Sequence, residues 1–202
     1  EVLNALSDHP NILRMQTSVV DGPGSAPCLL FDRYPDEADL ESFLRRNPKL
    51  PFQRRVEIVE QIGNALAFCH RKGVIHRGLD PSAVLVRRVT DASTEVDADA
   101  PVSVRLLNFL VAAQTGVSSG THHLTAFSSD RSLVYRAPEV LQDPRYATAA
   151  SDVFSLGAIA YRIFTGQSPG TELRERTELL RAGHLSLGAV RDDLAIPAAR
   201  PG

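Results

Sequence analysis

Apolar side chains recur at three- and four-residue steps along Val56, Val59, Ile62, Leu66 and Cys69, which lays one stripe on a helix. The pattern predicts a helix from about Pro51 to Lys72. Pro51 suits a first helical position, and Gly73 suits the positive-φ residue that stops a helix. Arg54, Arg55, Glu57, Glu60 and Arg71 fall mostly off the stripe and read as a solvated face. Further on, Phe154, Leu156, Ile159, Ile163 and Phe164 lie on several faces of one helical run. A helix apolar nearly all round is a buried one; this one opens at Ser151-Asp152 and ends at Gly166. Shorter helical patterns occupy Asp39 to Leu44 and Glu172 to Arg181. Residues 1–7 read as the last turns of a helix broken at Asp8-His9-Pro10-Asn11, because Pro10 disfavours helical geometry at His9.

Strand patterns are shorter. Ile12 to Met15 and Pro27 to Asp32 read as a strand pair around a turn at Gly22-Pro23-Gly24-Ser25. Val84-Leu85-Val86 and Val104 to Leu107 read as two buried strands. Between them, residues 87–103 carry Asp91, Glu95, Asp97 and Asp99 among small residues, a polar insertion. Residues 113–131 are rich in Ser, Thr, Gly and His, with little apolar periodicity.

Composition narrows the class. A chain of 202 residues, 43% hydrophobic and 23% charged, fits one globular domain. A formal net charge of -2 gives no case for a nucleic-acid or acidic-lipid partner. No apolar run reaches the ~18 to 20 residues a membrane span needs, and no signal-peptide pattern opens the chain. Cys28 and Cys69 each sit in an apolar run and read as reduced, buried thiols, so a cytoplasmic setting is expected. The chain starts inside an amphipathic pattern and closes on the Pro-rich run 196–202, which reads as a fragment of a longer protein.

Chemistry enters with three motifs in order. The first is Val74-Ile75-His76-Arg77-Gly78-Leu79-Asp80-Pro81-Ser82-Ala83-Val84-Leu85-Val86. The second is Asn108-Phe109-Leu110, and the third is Ala137-Pro138-Glu139 followed by Asp152 and Gly157. They resemble, in degenerate form, the catalytic loop, the Asp-Phe-Gly strand end and the Ala-Pro-Glu segment of eukaryotic-type serine/threonine protein kinases. The resemblance implies an α+β, protein-kinase-like fold. It would comprise a mostly helical C-lobe plus the end of helix αC and the fourth and fifth strands of the N-lobe. Residues 1–34 would be the N-lobe remnant and hinge, and 35–202 a C-lobe lacking its last helices.

The same resemblance assigns roles. Phe31 would be the gatekeeper, with a core aromatic as the alternative or simultaneous reading. Asp32-Arg33-Tyr34 would be the hinge that meets adenine through backbone groups, and Leu85 would lie under the adenine ring. His76 and Phe109 match packing positions, and Asp152 matches an Asp that accepts hydrogen bonds from the catalytic-loop backbone. Arg77 matches a residue that pairs with a phosphate in active members and here reads as a structural donor or a surface charge; Glu139 reads as structural.

The reactive positions are changed. Gly78 stands at the catalytic base, Asp80 at the usual Lys, Ala83 at the metal-binding Asn, and Asn108 at the Asp of Asp-Phe-Gly. Phosphoryl transfer depends on positioning and charge neutralisation. Gly78 and Ala83 offer no donor atom, and Asn108 offers only a neutral amide where a hard dication prefers carboxylates. Asp80 is a candidate displaced base, or else a cap on the turn ahead of Pro81. His122 and His123 lack spaced partners for a metal. Ser118, Ser119, Ser128 and Ser129 are candidate phosphorylation sites, although serines are common in loops.

Two functions follow as expectations. One is a catalytically inactive pseudokinase acting as scaffold or regulator through a protein partner or other domains of its own chain, without cofactor or metal. The other is an atypical active serine/threonine kinase using ATP and Mg. The Ala- and Arg-rich composition hints at a bacterial source.

Overall fold

The computed structural model describes residues 6, 8–19, 28–89, 99–109, 113–114 and 130–183. The 22–25 turn, most of the helix tail in 1–7, the acidic stretch 90–98, Leu110, His122, His123, Ser118, Ser119, Ser128, Ser129 and residues 184–202 lie outside them. Strands β1 (Met15–Val19) and β2 (Cys28–Phe31) pair antiparallel. Strand β3 (Ala38–Asp39) leads into helix α1 (Leu40–Arg46), whose N-terminus Asp39 caps by accepting from the Ser42 N–H at 2.9 Å. Helix α2 (Phe52–Arg71) follows, then β4 (Val74–Ile75), a 3-10 turn at Pro81–Ala83, β5 (Val84–Arg88) and β6 (Val102–Leu106). Beyond them lie β7 (Ala113–Gln114), α3 (Asp130–Leu133), α4 (Pro138–Gln142), α5 (Ala149–Thr165) and α6 (Leu173–Arg181). The β3-β5-β6 sheet is antiparallel in both of its pairings.

The first strand is displaced from its sequence reading. Ile12 makes a parallel bridge to Leu106 instead of starting β1, and Leu13 donates to the Leu106 carbonyl at 2.8 Å. Ile12 is 3% exposed, so burial against β6 wins over continuation of the hairpin. Helix α2 begins one residue later than read, with Pro51 at its N-cap, and Gly73 follows it at φ 71°. Its buried residues are Ile58, Ile62, Ala65, Leu66 and Cys69, with Val59 packed at the edge and Val56 half-buried. The stripe is therefore rotated toward Ile58 because α2 packs against both β6 and α5.

Polar side chains fix these contacts. Gln61 on α2 accepts from the Val104 N–H (2.9 Å) and the Asn11 amide (2.8 Å), and donates to the Val102 carbonyl (2.8 Å). Arg55, read as solvated, is half-buried and donates to the carbonyls of Leu50 (3.0 Å) and Ile163. A cation at the carboxyl end of α5 meets the negative end of the helix dipole. Arg176, inside the amphipathic α6, is 2% exposed and donates to the Arg136 and Val134 carbonyls. Its backbone lies so close to the preceding turn that a Cβ on Gly170 would meet Arg176 N at 2.9 Å. Gly170→Ala is expected to lower stability by about 1 to 3 kcal/mol through overpacking, read from the urea midpoint.

Candidate functional site

The central stretch runs from β4 through the 3-10 turn into β5, and a carboxylate on α5 holds it from beneath. Asp152 is 1% exposed. Its Oδ2 accepts from the His76 N–H at 2.9 Å and its Oδ1 from the Arg77 N–H at 3.0 Å. His70 Nε2 also lies 2.8 Å from Oδ2. Arg77 sits at φ 65°, a conformation that costs a residue with a Cβ about 1 to 2 kcal/mol. Two backbone donors on one buried carboxylate offset that cost.

His76 is fully buried and packs against Phe109 with the two rings tilted, their centroids 4.6 Å apart. Its Nδ1 faces the Gly78 N–H at 3.3 Å, and its Nε2 faces the Leu107 carbonyl at 3.1 Å. That pairing fits a neutral ring protonated on Nε2. Burial holds His76 below the ordinary histidine range, against the pull of Asp152 and the Leu107 hydrogen bond. The unfolded chain takes up this proton near pH ~6.5 and the folded chain does not. Stability is therefore full above that pH and falls below it, by at most about 1.4 kcal/mol per pH unit for this group. His9, also lowered by burial and by Arg71, acts in the same sense. Melting temperatures from pH 7.5 to 5 (roughly one unit either side of free histidine) are expected to fall, and less steeply in His76→Gln.

The positions read as reactive come together around this frame. Leu107 donates its N–H to the Ala83 carbonyl at 3.0 Å, which sets Asn108 beside the 3-10 turn. Asn108 lies at φ 68°, a left-handed geometry that Asn tolerates better than most residues. Gly78, Ala83 and Leu85 are buried. Asp80 is 8% exposed, and its Oδ1 accepts from the Ser82 N–H (2.7 Å), the Ser82 hydroxyl (2.5 Å) and the Ala83 N–H (3.3 Å). It is the N-cap of the 3-10 turn. Its remaining face lines a cavity of about 650 Å³ shared with Glu41, Arg131, Tyr135 and Arg162. Glu139 accepts from the Ser151 hydroxyl at 2.7 Å, tying α4 to α5. The Arg77 Nε is buried without a hydrogen-bond partner among the described residues.

The stretch read as the hinge pairs its backbone within the chain. Phe31 is 37% exposed and is not a core aromatic. The Tyr34 N–H donates to Glu37 Oε2 at 3.2 Å, and the Tyr34 carbonyl accepts from the Glu37 N–H at 3.2 Å. The Asp32 carbonyl accepts from Arg105 at 3.0 Å. Arg105 in turn pairs with Glu37, its Nε donating to Oε1 at 2.7 Å, in a buried ion pair. The backbone groups of Asp32 and Tyr34 thus already have partners within the chain. Glu37 and Arg105 escaped the sequence reading, although an Arg inside the apolar run Val104-Arg105-Leu106 is a signal that a buried partner exists.

The donor set does not fit a nucleotide with its metal. Ala83 has no ligand atom and Asn108 has a neutral one, where a magnesium ion is usually held by one or two carboxylates. Among the described residues no cluster of three or more His, Cys, Asp and Glu could hold a metal ion. Cys69 is a free, buried thiol whose pKa burial pushes up to about 12, so it is unreactive. No helix among the described residues is long and apolar enough to cross a membrane.

A family model described as the protein kinase domain matches residues 1–191. The chain is 32% identical over 179 residues to dual specificity testis-specific protein kinase 2 of Homo sapiens, covering 88% of this chain and 28% of that relative. It is 32% identical over 169 residues to serine/threonine-protein kinase PkaA of Streptomyces coelicolor, covering 80% of this chain and 27% of the relative. The chain therefore spans less than a third of the length of either relative. Among solved structures, the crystal structure of Rad53 kinase domain and SCD2 superposes with a TM-score of 0.67 at 24% identity, covering 98% of this chain and 65% of that one. At that identity the likeness concerns the fold.

Proposed function

The chain belongs to the protein kinase domain family, and on that premise we propose that it is a catalytically silent member, a pseudokinase module that acts as a scaffold or regulator. The observation that carries the proposal is the state of the base. Gly78 has no side chain, and the nearby Asp80 carboxylate is held by Ser82 and Ala83 as a turn cap. A general base must reach the acceptor hydroxyl, and Asp80 stands two residues past the base position with Oδ1 held in its own turn. The missing metal ligands at Ala83 and Asn108 and the self-satisfied hinge support the same reading. The residues that hold the frame, His76, Arg77, Leu85, Phe109, Glu139 and Asp152, keep contacts that serve architecture. Its partners are proposed to be another protein or other domains of its own chain, with no nucleic acid and no cofactor. A cytoplasmic setting and a bacterial source belong to the same proposal; the free thiol of Cys69 supports the first.

The full-length protein incubated with labelled ATP and Mg²⁺ or Mn²⁺ is expected to transfer no phosphate to itself or to a generic serine/threonine substrate. Transfer that disappears in Asp80→Ala establishes instead an atypical active serine/threonine kinase using ATP and Mg. A melting scan separates binding from inertness: a native-state ligand at 100 times its Kd stabilises by about 2.7 kcal/mol, and ATP is expected to give no such rise.

A further inference from the structure

On the outer side of the hinge lies a second cavity, of about 690 Å³, in which Arg14, Arg33, Arg87 and Arg105 converge with Tyr34 and Ile12. The arginines come from separate stretches: the approach to β1, the hinge, β5 and β6. The guanidinium carbons of two of them, Arg87 and Arg105, lie over the Tyr34 ring, 4.1 and 4.7 Å from its centroid. The ring thereby fixes the plane of Arg87 before any ligand arrives.

The counter-charges are unevenly spent. Arg105 is taken by Glu37. Asp32, also in the lining, accepts from Gln16 at 2.5 Å. Arg87 reaches the exposed Asp36 only at 4.0 Å, and its Nε is buried with no hydrogen-bond partner among the described residues. Among the described residues Arg33 donates only to the Glu37 carbonyl, at 3.4 Å. Arg14 is exposed and makes no ion pair among the described residues. Against these stand two carboxylates of the lining, Asp8 and Asp32, the latter keeping its charge because Gln16 is neutral.

We infer that this cavity binds a phosphomonoester carried on a peptide. A carboxylate is satisfied by one guanidinium fork, whereas a phosphomonoester brings a charge near -2 and three acceptor oxygens, enough for Arg14, Arg33 and Arg87 together. The volume exceeds what a phosphate fills, and the half-exposed Tyr34 ring gives neighbouring peptide side chains an apolar face. The inference is independent of catalytic silence, because the cavity contains none of the positions read as base or metal ligand.

The full chain is tested against a fluorescent, degenerate phosphoserine peptide pool, the same pool without phosphate, inorganic phosphate, and an RNA oligonucleotide of matched charge, with no nucleotide present. Binding of the phosphorylated pool is expected to exceed that of the plain pool about ten-fold or more, and to fall by a similar factor in Arg14→Gln and in Arg87→Lys. The second substitution keeps the charge and removes the fork, and the Arg14 side chain makes no hydrogen bond or ion pair among the described residues, so melting temperatures are expected to hold. Competition by inorganic phosphate supports the site. Equal binding of both pools, binding unchanged by both substitutions, phosphate binding without pool binding, or equal binding of the RNA overturns the proposal.

Discussion

Asp152→Ala is expected to destabilise the domain by roughly 3 to 5 kcal/mol. The carboxylate is buried, and its removal strands the His76 and Arg77 N–H groups away from water. Each stranded donor costs about 1 to 3 kcal/mol, and Arg77 loses what holds it at positive φ. Against a typical domain stability of about 5 to 15 kcal/mol, that is a large fraction. Urea unfolding measures the loss, and hydrogen exchange locates it: the amides of residues 76 and 77 are expected to lose protection before those of α2. Asp152→Asn retains one acceptor and is expected to fall between wild type and alanine. An alanine variant within about 1 kcal/mol of wild type contradicts the role assigned to this carboxylate.

Glu37→Ala is expected to rank next. It leaves Arg105, whose side chain is 9% exposed, as an unpaired charge beneath the hinge, and it releases the Tyr34 N–H. Breaking one partner of a buried pair costs about 3 to 5 kcal/mol. Replacing both partners by apolar residues of similar size, as in Glu37→Leu with Arg105→Met, is expected to be close to neutral, since the desolvation cost of both ions disappears. The double-mutant cycle, by urea unfolding, separates the pair from its surroundings. Additive losses would mean that the two residues act independently.

Much of the architecture was legible because it rests on local signals. The stripe on α2, the glycine stop at Gly73 and the all-round apolar α5 follow from spacing within one element, and the ordered motifs supplied the kinase-like fold. What escaped depends on contacts across the chain. Nothing local separates Arg55 from Arg54, yet Arg54 pairs with Glu57 and Asp99 while Arg55 reaches the carboxyl end of α5. Glu37 and Arg105 are separated by 68 positions, and Arg176 hides on the apolar side of an otherwise solvated helix. Ile12 looked like the start of a hairpin because strand propensity does not say which sheet a strand will join. At the site, residue types alone carried the reading that base and metal ligands are replaced. That Asp80 is a turn cap and that the hinge satisfies its own backbone took coordinates.

The ties from Asp152 to the loop have a consequence for the order in which a newly made chain acquires its shape. They span 76 and 75 residues, so His76 and Arg77 leave the ribosome long before the carboxylate that holds them. Until α5 has emerged, the loop lacks its anchor, and α2 lacks one of its main packing partners. Domains are synthesised from the amino end at about 5 to 20 residues per second, which leaves this segment without its anchor for seconds in every round of translation. A ribosome-stalled chain ending before residue 149 is therefore expected to show residues 74–80 open to protease, and one extended past α5 to show them protected.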